Sequence, residues 1–218
     1  MTASLARGLQ QGLVALDLHL GERPTQQLLG YIDQLQKWNR VYNLTAVREP
    51  GQMLIQHLLD CLAVVNPLQT RVPQAKTLLD VGAGGGLPSV ILAIACPELQ
   101  VVAVDAVAKK TAFIQSVAHS LGLSNLQSKH ARVETLDQTF DVVCSRAYAS
   151  LADFVTSSQR CLAPRGYWMA MKGALPADEI RDLPKDVELV KTETLSVPDL
   201  DAQRCLVWMR QKESPEAS

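Results

Sequence analysis

The 218-residue chain sets 21 Lys and Arg against 22 Asp and Glu, a formal net charge of −1, and is 47% hydrophobic and 20% charged. That length supports one good-sized core, and that balance excludes both a disordered polar chain and a membrane protein. No run approaches about 18 apolar residues, and Arg7, Gln10, Gln11 and Asp17 interrupt the stretch where a leader would lie, so a cytoplasmic protein without a membrane segment is expected. Cys61, Cys96, Cys144, Cys161 and Cys205 form no CxxC pair and read as reduced packing residues. His19, His57, His119 and His130 have no metal-ligand spacing, so no metal is expected; the chain is also expected to be a monomer. The net charge neither points to nucleic acid nor excludes a local basic patch.

The first third is helical in pattern. Leu28, Ile32, Leu35, Trp38 and Tyr42 recur at spacings of three and four, and Leu54, Leu58, Leu62 and Val65 repeat the pattern in a second helix. The Asn, Pro and Gly of residues 43–51 mark the loop between them. Near residue 72 the character changes to short apolar runs alternating with helical patterns, the signature of βαβ units. Thr77 to Val81, Leu99 to Val104, Asp141 to Cys144 and Tyr167 to Met171 are near-continuous apolar runs, as strands covered on both faces require. Val187 to Val197 and Arg204 to Met209 flank Pro198-Asp199, which predicts an antiparallel hairpin at the end of the sheet. The expected division is a helical extension over 1–72, a sheet domain over 73–212 and a polar, disordered tail over 213–218.

The most informative stretch is Leu78-Leu79-Asp80-Val81-Gly82-Ala83-Gly84-Gly85-Gly86-Leu87-Pro88-Ser89, an apolar strand emptying into glycines and then into a helix with Pro near its first turn. Glycine lets backbone take positive φ and lie against a nucleoside. The next strand ends at Asp105, nineteen residues after Gly86, where a carboxylate can accept from both ribose hydroxyls of an adenosine. A dinucleotide fingerprint requires glycine where Leu87 stands, and no GK[ST] follows the glycines as a Walker loop requires. The remaining pattern, Asp80-x-Gly82-x-Gly84-x-Gly86, resembles motif I of class I S-adenosylmethionine-dependent methyltransferases. Asp80 has two readings, a cap on backbone N–H groups or a partner near the methionine ammonium.

Three further segments narrow the resemblance: Lys37-Trp38-Asn39-Arg40-Val41-Tyr42-Asn43-Leu44-Thr45, Gln56-His57-Leu58-Leu59-Asp60 and Phe140 to Ser150, with its Ser145-Arg146-Ala147 string. Over nearly the whole chain the sequence resembles bacterial 16S ribosomal RNA guanine-N7 methyltransferases, the glucose-inhibited division protein B family. The resemblance implies an α/β, Rossmann-like fold: a mainly parallel sheet with a C-terminal antiparallel hairpin and an N-terminal helical extension. It implies S-adenosylmethionine as cofactor and 16S rRNA or the small ribosomal subunit as partner. Gly82, Leu87, Val133, Glu134 and Arg146 match its cofactor contacts, with Asp105 in the ribose place and Asp80, Gly84 and Gly86 completing the loop. Arg132, Arg146 and Lys172 match basic positions at the mouth of its site and stand as the catalytic candidates. Gly85 replaces a Pro common in the family loop and Ser89 replaces a Gly, and both still allow a tight turn.

Ligands of a doubly wound sheet bind beyond the carboxyl ends of its strands, so Arg146 and Lys172 should face one crevice and meet phosphate there. On this reading Arg146→Ala loses activity with little change in folding, and activity is salt-sensitive. Guanine N7 has a free lone pair, so methyl transfer demands positioning rather than a general base. Neither an Asn/Asp-Pro-Pro-aromatic motif for exocyclic amines nor a Pro-Cys dipeptide for cytosine C5 is present. Trp38, Tyr42 and Leu35 read as packing, while Asn39, Arg40, Asn43 and Arg48 are open to an RNA-facing role. His57 and Asp60, three apart, read as a tethered pair orienting the helical cover. Lys109 and Lys110 are either a solvated pair or a phosphate contact. Two rivals remain. A small-molecule methyltransferase calls for an apolar lid, whereas Asn39, Arg40 and Asn43 make this cover polar, and a silent RNA-binding module has no need of the intact Asp80 to Gly86 loop.

Overall fold

The computed structural model describes residues 2–212, so the predicted 213–218 tail lies outside the described residues. Seven strands form one sheet in the order β3-β2-β1-β4-β5-β7-β6: β1 Thr77–Val81, β2 Gln100–Asp105, β3 Leu126–His130, β4 Phe140–Arg146, β5 Leu162–Lys172, β6 Val187–Thr194 and β7 Cys205–Gln211. β1 to β5 run parallel, and β7 lies antiparallel between β5 and β6. The predicted hairpin is present, although its first strand stops at Thr194 rather than Val197. β3 was not among the expected strands: Leu126-Gln127-Ser128-Lys129-His130 is an edge strand with one buried residue, so it lacks the apolar run that marks the others.

Side chains alternate across the sheet. Leu78, Val101, Ala103 and Val142 join one apolar cluster, while Leu79, Val81, Val102, Val104 and Val143 join the cluster on the opposite face. The first face is covered by α6 (Ser89–Ala95) and α7 (Ala108–Leu121), the second by α8 (Leu151–Ser158), whose N-cap Ser150 hydroxyl accepts from the Asp153 amide. A short α9 (Ala177–Arg181) follows β5.

The N-terminal helices form a further layer over α6 and α7. α1 is Thr2–Ala15 and α2 is Glu22–Tyr42, with Leu28, Tyr31, Ile32, Leu35 and Asn39 buried along one face. α2 ends at Asn43, whose left-handed backbone (φ 48°) returns its amide to the Asn39 carbonyl. The second predicted helix is not continuous. It divides into α3 (Pro50–Met53), a π-helical stretch (Leu54–Leu59), α4 (Asp60–Leu62) and α5 (Val65–Arg71). π turns concentrate at functional sites, and this one faces the end of β4.

Candidate active site

Register brings the carboxyl ends of β1, β2 and β4 together: Val81 lies beside Val104, and Asp80 beside Cys144. From Val81 the chain turns through Gly82 (φ +69°), Gly84 (φ +57°) and Gly86 (φ +82°), left-handed conformations that a Cβ penalises. A Cβ on Gly86 would also lie 2.4 Å from Val90 Cγ2. Besides its backbone bonds, three side-chain bonds fasten this loop. Asp80 Oδ2 accepts from the Ser89 amide at 3.0 Å, Asp105 Oδ2 accepts from the Gly84 amide at 2.9 Å, and the Tyr31 hydroxyl of the cover donates to the Gly85 carbonyl at 2.7 Å. Pro88 stands at the N-cap of α6 rather than inside its first turn. Asp80 is fully buried, and burial pushes its carboxyl up to about 6 against the opposing pull of Ser89. Of its two readings, the geometry supplies the backbone cap.

Beyond the ends of β1 and β2 lies a cavity of about 200 Å³. Its wall takes Val81 and Gly82 at the end of β1, Val104, Asp105 and Ala106 at the end of β2, Ala131 to Glu134 after β3, and Tyr148 after β4. It thus gathers Gly82, Asp105, Arg132, Val133 and Glu134 of the predicted residues, whereas Asp80, Gly84, Gly86 and Leu87 shape the loop behind it. Tyr148 was not among the predicted site residues. Its ring lies 3.3 Å from where a Cβ on Gly82 would be, so the bare glycine backbone and the ring together make a cradle that a side chain would fill. The Asp105 oxygens accept from the Gly84 and Val107 amides, with Lys110 Nζ 3.6 Å away. A carboxylate has about four acceptor positions, so capacity remains for ribose hydroxyls. Apolar walls, a glycine cradle and a half-engaged carboxylate fit the adenosine part of S-adenosylmethionine.

A second cavity, of about 300 Å³, lies at the ends of β4 and β5 and is lined by Asp60, Arg146, Ala147, Met171, Lys172, Gly173 and Arg204. Arg146 and Lys172 therefore do share a crevice, joined by Arg204, which was not predicted. Ala147 takes a left-handed backbone (φ 56°) between Arg146, at the second cavity, and Tyr148, at the first. Most of the Arg146 fork is turned to the cover: Nη2 donates to the Gln56 carbonyl at 2.9 Å and to His57 Nδ1 at 3.4 Å, Nη1 to Cys61 Sγ at 3.5 Å, and Nε lies 3.4 Å from Asp60. Lys172 Nζ is held by Glu179 at 2.7 Å.

His57 and Asp60 are not the tethered pair the sequence suggested. Asp60 holds Arg146 and Arg204, while His57 Nε2 is 2.8 Å from the Thr45 hydroxyl. Burial first, and then the Arg146 charge, lower the His57 pKa, so the ring is neutral at pH 7. With Nδ1 facing an arginine donor, the ring proton belongs on Nε2 and goes to Thr45. Asn39 also leaves the RNA-facing group, because its buried side chain accepts from the Thr45 amide and donates to the Val47 carbonyl. Trp38 packs at tilted angles between Tyr42 and Phe113, as expected, while Tyr42 itself is 40% exposed.

Residues 24–207 match the family model described as rRNA small subunit methyltransferase G. A protein of Methylibium petroleiphilum named ribosomal RNA small subunit methyltransferase G is 57% identical over 212 residues, covering 96% of each chain. Among solved structures, TrmN from Thermus thermophilus superposes with a TM-score of 0.55 at 18% identity, over 73% of this chain and 53% of that one. A SAM-dependent methyltransferase from Thiobacillus denitrificans in complex with S-adenosyl-L-homocysteine does so at 0.51 and 12% identity, over 67% and 90%. These two likenesses carry the Rossmann-like α/β fold. The match over most of its length places the chain in the rRNA small subunit methyltransferase G family.

Proposed function

We propose that the protein transfers a methyl group from S-adenosylmethionine to N7 of a guanine in 16S rRNA. The observation that carries this reading is the cavity walled by the glycine loop and Asp105, in a chain of this family, beside a second cavity lined by Arg146, Lys172 and Arg204. Gly82, Asp105, Val133, Glu134 and Tyr148 hold the cofactor, with Asp80, Gly84, Gly86 and Leu87 setting the loop. When bound, it supplies an electrophilic sulfonium methyl.

The chain's own task is positioning. Guanine N7 presents an unprotonated lone pair, so no residue has to remove a proton before attack. Holding acceptor and donor in line supplies up to roughly 7–11 kcal/mol of such a barrier. Lys172 and Arg204 present the cationic wall that an RNA strand meets, and Arg132 stands at the mouth of the cofactor cavity. Arg146 joins that wall to the cover. The five unpaired cysteines, four of them buried, fit a reducing cytoplasm, where we take the protein to act as a monomer.

The test is transfer of labelled methyl to small subunits or 16S rRNA lacking the modification, followed by nucleoside analysis. Label in 7-methylguanosine is the expected result. Label in another nucleoside, or cofactor binding without RNA labelling, overturns the reading.

A further inference from the structure

We infer that Asp60 is a positioning residue for methyl transfer, the single anion that sets two guanidinium groups at the substrate cavity. Its side chain is 2% exposed, and each oxygen serves a different arginine: Oδ2 lies 3.4 Å from Arg146 Nε, and Oδ1 lies 2.8 Å from Arg204 Nε. The three residues come from the cover, the end of β4 and the residue preceding β7, so nothing local brings them together. Two like charges repel unless an anion lies between them, and a carboxylate with one oxygen on each is the geometry that holds both forks in place.

The charge balance of the cavity gives Asp60 a second effect. Arg146, Lys172 and Arg204 are cations, and Asp60 and Glu179 are anions, with Lys172 held by Glu179 at 2.7 Å. One positive charge is left over, the complement of one backbone phosphate. Removing the Asp60 charge therefore raises the attraction for RNA while loosening the geometry that orients it, so turnover and RNA affinity should separate. A purely structural carboxylate would degrade both.

This inference rests on the rRNA methyltransferase reading, and its test keeps the two apart. Wild type, Asp60→Asn and Asp60→Glu are compared for kcat and KM on RNA and for cofactor Kd, together with the arginine Nε–H resonances. For Asp60→Asn the expected result is a fall in kcat of roughly tenfold or more, RNA KM unchanged or lower, cofactor Kd within about twofold of wild type, and displaced Arg146 and Arg204 resonances. Asp60→Glu, which keeps the charge, should recover part of the lost kcat. An unchanged kcat in Asp60→Asn overturns the inference. So does a joint loss of kcat, RNA affinity, cofactor affinity and Tm in which Asp60→Glu is no better. A wild-type enzyme that labels no guanine N7 overturns the functional reading, and the positioning role with it.

Discussion

Asp80→Asn should make the protein more stable near neutral pH. The Asp80 carboxyl is fully buried at the end of β1, one oxygen on the Ser89 amide and the other, like the Ser89 hydroxyl, without a hydrogen-bond partner. Burial raises its pKa from 3.8 to about 6. Below pH 3.8 it is protonated folded or unfolded and costs nothing. Between 3.8 and about 6 the folded state keeps a proton that the unfolded chain releases, so stability falls as pH rises, and above about 6 the loss is complete. Some two pH units at 1.36 kcal/mol each make that loss about 3 kcal/mol. Asparagine keeps an oxygen for the Ser89 amide and offers an N–H to the unpartnered Ser89 hydroxyl. The gain at pH 7.5 is therefore up to about 3 kcal/mol, or roughly 6–12 °C in Tm for a chain of this size. Urea unfolding of both proteins from pH 4 to 8 reads the difference directly. It should vanish near pH 4 and grow to a plateau above pH 6.5. A difference independent of pH, or a variant less stable at pH 7.5, would refute the burial argument.

Arg146→Ala should unfold more readily as well as lose activity, contrary to the sequence expectation of little change in folding. The change strips four partners on the cover and leaves the buried Asp60 with Arg204 alone, a loss of about 3–5 kcal/mol that chemical denaturation will register. Gly86→Ala places a Cβ 2.4 Å from Val90 at φ +82°. At least about 1–2 kcal/mol of backbone strain follows, and cofactor binding by calorimetry should fail while the rest of the fold survives at lower Tm. Tyr148→Ala should raise the cofactor Kd about tenfold by removing one wall of the nucleoside cavity, with Tyr148→Phe close to wild type. Equal Kd values for Tyr148→Ala and wild type would remove the ring from the site.

The β1, glycine loop and β2 unit was legible because each part carries its own physical signature: an apolar strand, glycines where φ is positive, and a carboxylate at the next strand end. β3 carried none, since an edge strand can satisfy itself with polar residues. The π turn at Leu54–Leu59 was illegible for a different reason. Its apolar spacing fits an α-helix equally well, and the wider turn lies in the backbone hydrogen bonding, which leaves no mark on the pattern. Arg146 itself was placed correctly at a strand end, but the cover that engages it comes from residues 56–61, and no local pattern announces a contact so distant in sequence. Arg204 left only a partial signal. The predicted hairpin left open which of its strands pairs with the sheet; in the structure the last strand runs antiparallel to β5, which puts its beginning, next to Arg204, at the carboxyl edge, where ligands bind.

A protein with net charge −1 meets an RNA polyanion without a global positive field, so its recognition has to be local. Four cations near the two cavities are held by carboxylates, Lys110 by Asp105, Arg146 and Arg204 by Asp60, and Lys172 by Glu179. Held cations attract weakly at a distance but lose little side-chain freedom on contact, which favours orientation over capture. Methylation at N7 makes that demand, because its acceptor lone pair needs no chemical activation and only direction. The cover supplies the direction. Through Tyr31 it holds the glycine loop, and through Gln56, His57, Asp60 and Cys61 it holds the strand-end arginine, so the surroundings of both cavities are set by one layer of helices.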